Sequence, residues 1–178
     1  MSGNVDLEAL IADIPDYPEP GVVFKDITPM LADPKGFKAC IDQLCAPFAD
    51  KGITKIMGAE ARGFIIGAPM AYAMDCGFVP ARKKGKLPRE TSSYTYDLEY
   101  GTDTIEIHAD AISEDDVVLI VDDVLATGGT AAAKAELVSC VGAKLAGFAF
   151  FLELDFLHGR DKLDKFDHAE IVSLVHAE

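Results

Sequence analysis

Basic residues are scarce in this sequence: 16 Lys and Arg stand against 30 Asp and Glu, a formal charge of −14 over 178 residues. Such a chain has no broad electrostatic attraction for nucleic acid or for an anionic membrane surface. Long apolar runs are missing too. A bilayer-spanning helix needs about 18 apolar residues in a row, and the longest candidate, Val141 to Leu154, is interrupted by Lys144 and Glu153. Cysteine is limited to Cys40, Cys45, Cys76 and Cys140. With no C-x-x-C pair and no metal-ligand spacing, all four read as small buried apolar residues in a reducing compartment. The opening residues, Met1 to Glu8, are acidic where a signal peptide would be basic. These absences point to a cytoplasmic protein with no nucleic-acid and no membrane partner. The signatures G-x-x-x-x-G-K-[ST], G-x-G-x-x-G, H-E-x-x-H and G-x-S-x-G are also absent, which removes the corresponding nucleotide, zinc and serine chemistries.

What is present is ordinary for a globular chain: 49% hydrophobic and 26% charged residues. The length suits one domain over residues 1–178, able to bury roughly 70% of its unfolded surface. Phe37, Ile41, Leu44 and Phe48 recur at helical steps and predict a helix from Pro34 to Lys51, ended at Lys51-Gly52. Ile53–Gly58, Phe78–Ala81 and Thr104–His108 read as strands, and Phe64–Met74 as an apolar helix. Val117–Val121 is a continuous, mostly β-branched run of the kind buried on both faces. A helix over Gly128–Val141, with Ala133, Leu137 and Val141 on one face, and a fully apolar strand over Leu145–Leu152 follow. Strands alternating with helices predict an α/β fold, a parallel central sheet flanked by helices. In such sheets ligands sit beyond the carboxyl ends of the strands.

The stretch Val117 to Thr130 satisfies that rule with chemistry. A buried strand delivers Asp122 and Asp123, and Ala126-Thr127-Gly128-Gly129-Thr130 opens a helix. Adjacent glycines at a helix start let the backbone wrap a ligand, with several N–H groups and the positive dipole end aimed at one spot. That suits a phosphate monoester, with Thr127 and Thr130 adding hydroxyls. The carboxylates cannot welcome the phosphate but accept hydrogen bonds from a diol. A phosphorylated sugar fits both halves.

Five of the sixteen basic residues fall within eight positions: Arg82, Lys83, Lys84, Lys86 and Arg89. In so acidic a chain this cluster reads as a polyanion site rather than a solvated loop. Arg62, in a glycine-bearing loop after the Ile53 strand, adds a planar donor. Arg89 to Gly101, polar and rich in Ser, Thr and Tyr, reads as a long mobile lid loop that excludes water. Pro20 to Phe24 carries apolar residues with no obvious strand pairing, and Phe24 fits either a core or a stack on a flat base. His108, His158, His168 and His176 belong to no constellation and read as structural or surface residues.

Val117 to Thr130 resembles the phosphoribosyl-pyrophosphate (PRPP) motif of the type I phosphoribosyltransferases. Pro20–Pro29, Glu60–Phe64, Arg82–Pro88 and Tyr96–Gly101 are similar to segments of the adenine-using members, and the likeness runs from about Ile14 to Leu163. The resemblance implies that family's fold with a small N-terminal hood, contributed mainly by about residues 1–35. It implies a pentosyltransferase of purine salvage that joins adenine and PRPP to give AMP and pyrophosphate. Mg²⁺ would be held mainly by substrate oxygens, with no dedicated protein ligands, and the chain would be a homodimer. Residue by residue, it implies Glu60, Ala61 and Arg62, with a non-proline cis peptide at Glu60–Ala61, together with Arg82 and Lys86, on pyrophosphate. Asp122, Asp123 and Ala126 to Thr130 would bind the phosphoribosyl group. Val23, Phe24 and Lys25 would form the adenine side, Lys25 standing where relatives often have Arg, and Leu154 would close the pocket. Glu99 would lie near the purine imidazole edge with Tyr100 beside it. Two alternatives share the PRPP motif: a transferase for a 6-oxopurine or orotate, and a non-catalytic nucleotide-responsive regulator.

Overall fold

The computed structural model of the chain describes residues 5–97 and 101–178. A 3₁₀ turn at Glu8–Leu10 leads into a hairpin. Strand β1 (Ala12–Pro15) pairs antiparallel with β2 (Val23–Asp26), Ile14 opposite Phe24. Within Pro20 to Phe24, Val23 and Phe24 therefore do have strand partners, Pro15 and Ile14, across a turn containing Gly21. A short helix α1 (Thr28–Ala32) leads into α2 (Pro34–Cys45). Asp33 caps α2, accepting from Gly36 N at 2.6 Å, and Pro34 occupies the first turn, where its missing N–H costs nothing. The expected helix to Lys51 stops at Cys45 and tightens to a 3₁₀ turn over Ala46–Phe48. Pro47 is the reason, since it cannot donate to the preceding turn. Phe48 is still fully buried.

The main sheet follows in alternation: β3 (Lys55–Ala59), α3 (Arg62–Ala73), β4 (Gly77–Lys83), β5 (Thr91–Asp97), β6 (Thr102–His108), β7 (Val117–Leu125), α4 (Gly129–Val141), β8 (Lys144–Leu154) and β9 (Glu170–Ala177). Its order is β5-β6-β4-β3-β7-β8-β9. The five strands β4, β3, β7, β8 and β9 are mutually parallel, and β6 and β5 extend one edge antiparallel. The expected α/β sheet is observed with that antiparallel arm added.

The arm corrects the reading of Arg89 to Gly101 as a loop. Residues 91–97 pair in continuous register with β6, from Thr91 opposite His108 to Asp97 opposite Thr102. Thr, Ser and Tyr in alternation suit a pleated surface with one face covered. Tyr94 and Tyr96 supply that face, packing against the core beside α4. Leu98, Glu99 and Tyr100 lie outside the described residues.

Two apolar clusters fill the two faces of the sheet. On one, Val118, Ile120, Phe148 and Phe150 pack with Ala131, Leu137 and Val138 of α4. On the other, Leu119, Val121 and Phe151 pack with Ile41 and Leu44 of α2, Ile66 and Met70 of α3, and Ile27 and Met30 beside the hairpin. The alternation along β7 thus sends odd and even residues to different helices, which decides the surroundings of the two acids that follow. The cysteines are unpaired, with Cys40 buried and Cys45 and Cys76 half-buried. Cys140, in the last turn of α4, is exposed and corrects the expectation that all four are buried.

Candidate active site

The carboxyl ends of β3, β7 and β8 and the tip of the hairpin enclose a cavity of about 580 Å³. Val23, Phe24 and Lys25 stand on its wall, with Glu60, Ala61 and Arg62 at the start of α3. So do Asp122, Asp123 and the run Ala126 to Thr130, and Leu154 closes another side. Four segments far apart in sequence therefore meet at one place.

The acids are held individually. Strand β7 runs on through them to Leu125, instead of ending at Val121. Asp122 turns toward α4, where Lys134 Nζ donates to its Oδ2 at 2.8 Å. Its Oδ1 accepts from the Asp123 N–H at 3.1 Å. A Cβ on Gly63 would sit 2.6 Å from that same oxygen, so only glycine lets α3 begin this close. Asp123 points to the opposite face and is 5% exposed. Its Oδ2 lies 2.6 Å from Arg62 Nε but takes no aligned hydrogen bond. Burial, reinforced by the Asp122 charge, pushes the Asp123 carboxyl up to about 7, and Arg62 pulls only partly against them.

Arg62 links this acid to the hood. Its guanidinium is 5.6 Å from the centre of the Phe24 ring, which Tyr17 meets edge-on at 5.3 Å. Phe24 is therefore a half-buried wall residue held in place from behind, not part of the core.

The chain matches the phosphoribosyl transferase domain over residues 31–174. An adenine phosphoribosyltransferase of Myxococcus xanthus is 57% identical over 160 residues, 90% of this chain and 87% of that protein. The chain belongs to the adenine phosphoribosyltransferase family. The structure of the Rhodothermus marinus adenine phosphoribosyltransferase is similar, with a TM-score of 0.91 and 50% identity, covering 96% of both chains. That of the Saccharomyces cerevisiae enzyme, complexed with adenine and an imino-altritol bisphosphate, gives 0.87 and 42% over 95% of this chain and 96% of the other.

Within this family framework the remaining expected residues fall in two groups. The Glu60–Ala61 peptide is cis, as the resemblance implies. Arg82 and Lys86 do not line the main cavity. Arg82 borders an adjoining hollow of about 210 Å³ that shares Ala59, Glu60 and Thr130 with it. Both side chains are tied to Glu60: Arg82 Nη2 at 3.1 Å, Lys86 Nζ at 3.5 Å. Burial opposes ionisation of Glu60, but the Lys83 N–H and the Arg82 fork hold its carboxyl below the usual range. Lys83 lies 3.6 Å from Asp103, and Arg89 pairs with Asp110. The local excess of positive charge is thus largely matched by acids already in the fold. Glu99 and Tyr100 lie outside the described residues.

Three features were not anticipated. Lys134 is fully buried in α4; its only signal in sequence is a lysine amid Ala131, Ala133, Ala135 and Leu137. Arg160 makes a two-pronged contact with buried Glu153, both bonds 2.7 Å, which anchors the 3₁₀ segment Gly159–Lys162 under the phosphate-type loop. Tyr96 Oη reaches Thr130 Oγ1 at 3.3 Å, joining the β5 arm to the start of α4. The reading of His176 as belonging to no constellation is also corrected. Its Nδ1 is 2.9 Å from Asp155 and 3.9 Å from Glu153, a group with ligand-like spacing. Arg160 already occupies Glu153.

Proposed function

We infer that this chain transfers the 5-phosphoribosyl group of PRPP to adenine, giving AMP and pyrophosphate in purine salvage. One observation carries the reading. A single cavity is lined by an acid pair and the T-G-G-T helix start together with the Phe24 hood, the surfaces that the ribose, phosphate and base of a nucleoside monophosphate call for. Family membership supports it.

The 5′-phosphate sits on the N–H groups of Ala126 to Thr130, where the α4 dipole favours an anion. Asp122 and Asp123 accept from the ribose hydroxyls. Phe24 and Leu154 sandwich the base, and main-chain groups of Val23 to Lys25 meet the N6 donor and N1 acceptor of adenine. Hypoxanthine and guanine reverse both roles and leave buried groups unpaired. The bond from ribose C1 to the pyrophosphate oxygen breaks, and its electron pair leaves with pyrophosphate. C1–N9 forms with inversion through an oxocarbenium-like transition state, while the N7 proton passes to Glu99, with Tyr100 beside it. Glu60, Ala61 and Arg62 face the pyrophosphate, joined by Arg82 and Lys86 once these turn from Glu60. Mg²⁺, when bound, neutralises charge on the diphosphate. It fits as an ion carried by substrate oxygens, because Asp122 and Asp123 each already face a protein cation.

The hood and sheet act as one domain, supported by Ile27 and Met30 sharing a cluster with Ile66 and Phe151. We place the enzyme in the cytoplasm, supported by its four unpaired cysteines. It works as a homodimer, supported by Ile65 and Tyr72, which leave an apolar strip of α3 open, Tyr72 at 92% exposure. Light scattering at the mass of one chain would remove the dimer.

The deciding experiment is a Mg²⁺-dependent assay with PRPP, offering adenine, hypoxanthine, guanine and orotate separately. AMP from adenine alone is expected. Turnover of another base would keep the reaction and remove the hood argument; no turnover with saturable AMP binding would favour the regulator. In the same assay Glu99→Ala is expected to lower turnover on the order of a hundredfold with PRPP binding retained. Unchanged turnover would take Glu99 out of the reaction.

A further inference from the structure

A lysine with no exposed surface is rare and costly unless its charge is met. Lys134 is such a residue, and its side chain spends two donors on one point of the fold. It bonds Asp122 Oδ2 at 2.8 Å and the Val121 carbonyl at 3.2 Å. The other oxygen of Asp122 is taken by the Asp123 N–H, and the Gly63 backbone stands against it. The carboxylate therefore cannot rotate while Lys134 is in place. The same helix that carries Lys134 begins at Gly129 and Thr130, so its first turn borders the cavity and its second turn grips Asp122. A 5′-phosphate and the ribose hydroxyls are the two ends of one sugar, and a rigid helix touching both binding groups sets the distance between them.

We propose that Lys134 is a positioning residue of the ribose subsite, holding Asp122 in the single orientation that accepts a ribose hydroxyl in register with the phosphate loop. This rests on the reading of the acid pair as the ribose-binding group. Lys134 itself touches no substrate. Its ammonium also offsets one of two adjacent negative charges that a polyphosphate ester would otherwise approach, since Arg62 serves only Asp123. A Lys placed merely to fill the core would instead be replaceable by an apolar side chain of its own length without a substrate-specific effect.

The test uses the full-length enzyme and three variants, Lys134→Met, Asp122→Asn and the double variant. Affinities for PRPP with Mg²⁺ and for ribose 5-phosphate are read by calorimetry, and KM for adenine in the steady state. Lys134→Met is expected to weaken PRPP and ribose 5-phosphate on the order of tenfold, the scale of a hydrogen bond to a charged group. The adenine KM is expected to stay within about twofold. Added to Asp122→Asn, Lys134→Met is expected to change PRPP affinity by less than about twofold, because the group it positions is gone. Lys134→Gln, which keeps a donor in the same space, is expected to fall between wild type and Lys134→Met and carries the test if the Met variant does not fold. Equal damage to both substrates, or full additivity in the double variant, would overturn the proposal. Weak PRPP binding in Asp122→Asn with wild-type binding in Lys134→Met would overturn it alone. Unchanged PRPP affinity in Asp122→Asn would overturn the ribose reading and the proposal with it.

Discussion

Asp123→Asn is expected to yield a protein that is more stable above neutral pH and nearly inactive. The carboxyl is buried beside Asp122, and its folded-state pKa of about 7 stands well above the 3.8 of a freely solvated aspartate. Between those two values the native state binds a proton that the unfolded chain has released, so stability falls as pH rises through that window and levels off above it. At about 1.4 kcal/mol per pKa unit the ceiling is about 4 kcal/mol. The new carboxamide and the lost Arg62 pairing offset part of it, leaving a net gain of about 2 kcal/mol, or a midpoint about 4–8 °C higher at pH 8. Near pH 4 the two proteins are expected to unfold almost together. Losing a charged acceptor for a ribose hydroxyl is expected to lower kcat/KM for PRPP on the order of a hundredfold. Urea unfolding from pH 4 to 8 checks the first part. A variant less stable at pH 8, with the wild-type pH slope, would show that Asp123 is not a strained acid kept for function.

The reach of the sequence is uneven for physical reasons. Val117 to Val121 and the helix after Gly128 were legible because a continuous β-branched run and a glycine pair are local signals. The continuation of β7 through Asp122 and Asp123 was not, since two acids in a buried strand are stable only because Lys134 and Arg62 answer them from opposite faces. Arg62 is 61 positions before its acid in sequence, and nothing local announces the pairing. Residues 91–97 looked like a loop because their polarity was read without their period. Tyr94 and Tyr96 reveal the covered face only once α4 lies beneath them. Helix α4 carries both Lys134, a fully buried charge that no local signal announces, and Cys140, a thiol expected to be buried that is exposed. The cavity wall was legible residue by residue, whereas the ties of Arg82 and Lys86 to Glu60 depend on β3 and β4 lying side by side in register, which brings residues more than twenty positions apart together.

Gly128→Ala is expected to damage the phosphate subsite most severely, and its neighbour Gly129→Ala far less. Gly128 has φ +76° and ψ −6°, a left-handed conformation that costs an L-residue about 1–2 kcal/mol. A Cβ there would also fall on the Gly159 carbonyl oxygen and lie 3.1 Å from its carbon. Those are backbone atoms, and the Arg160–Glu153 pair holds that segment in place, so the loop must move instead. At Gly129 the nearest atoms to a Cβ belong to the Tyr96 ring at 3.6 Å, an ordinary contact. Gly128→Ala is therefore expected to lower the midpoint by about 4–10 °C and to weaken AMP and PRPP together by about a hundredfold or more, because both carry the 5′-phosphate. Gly129→Ala is expected to keep its midpoint within about 2 °C. Thermal scans and AMP titration of the two variants decide the matter: wild-type AMP affinity in Gly128→Ala would mean that the phosphate does not sit on this loop. Loss of AMP alone, with PRPP unaffected, would mean that the two nucleotide-like ligands do not share one phosphate site.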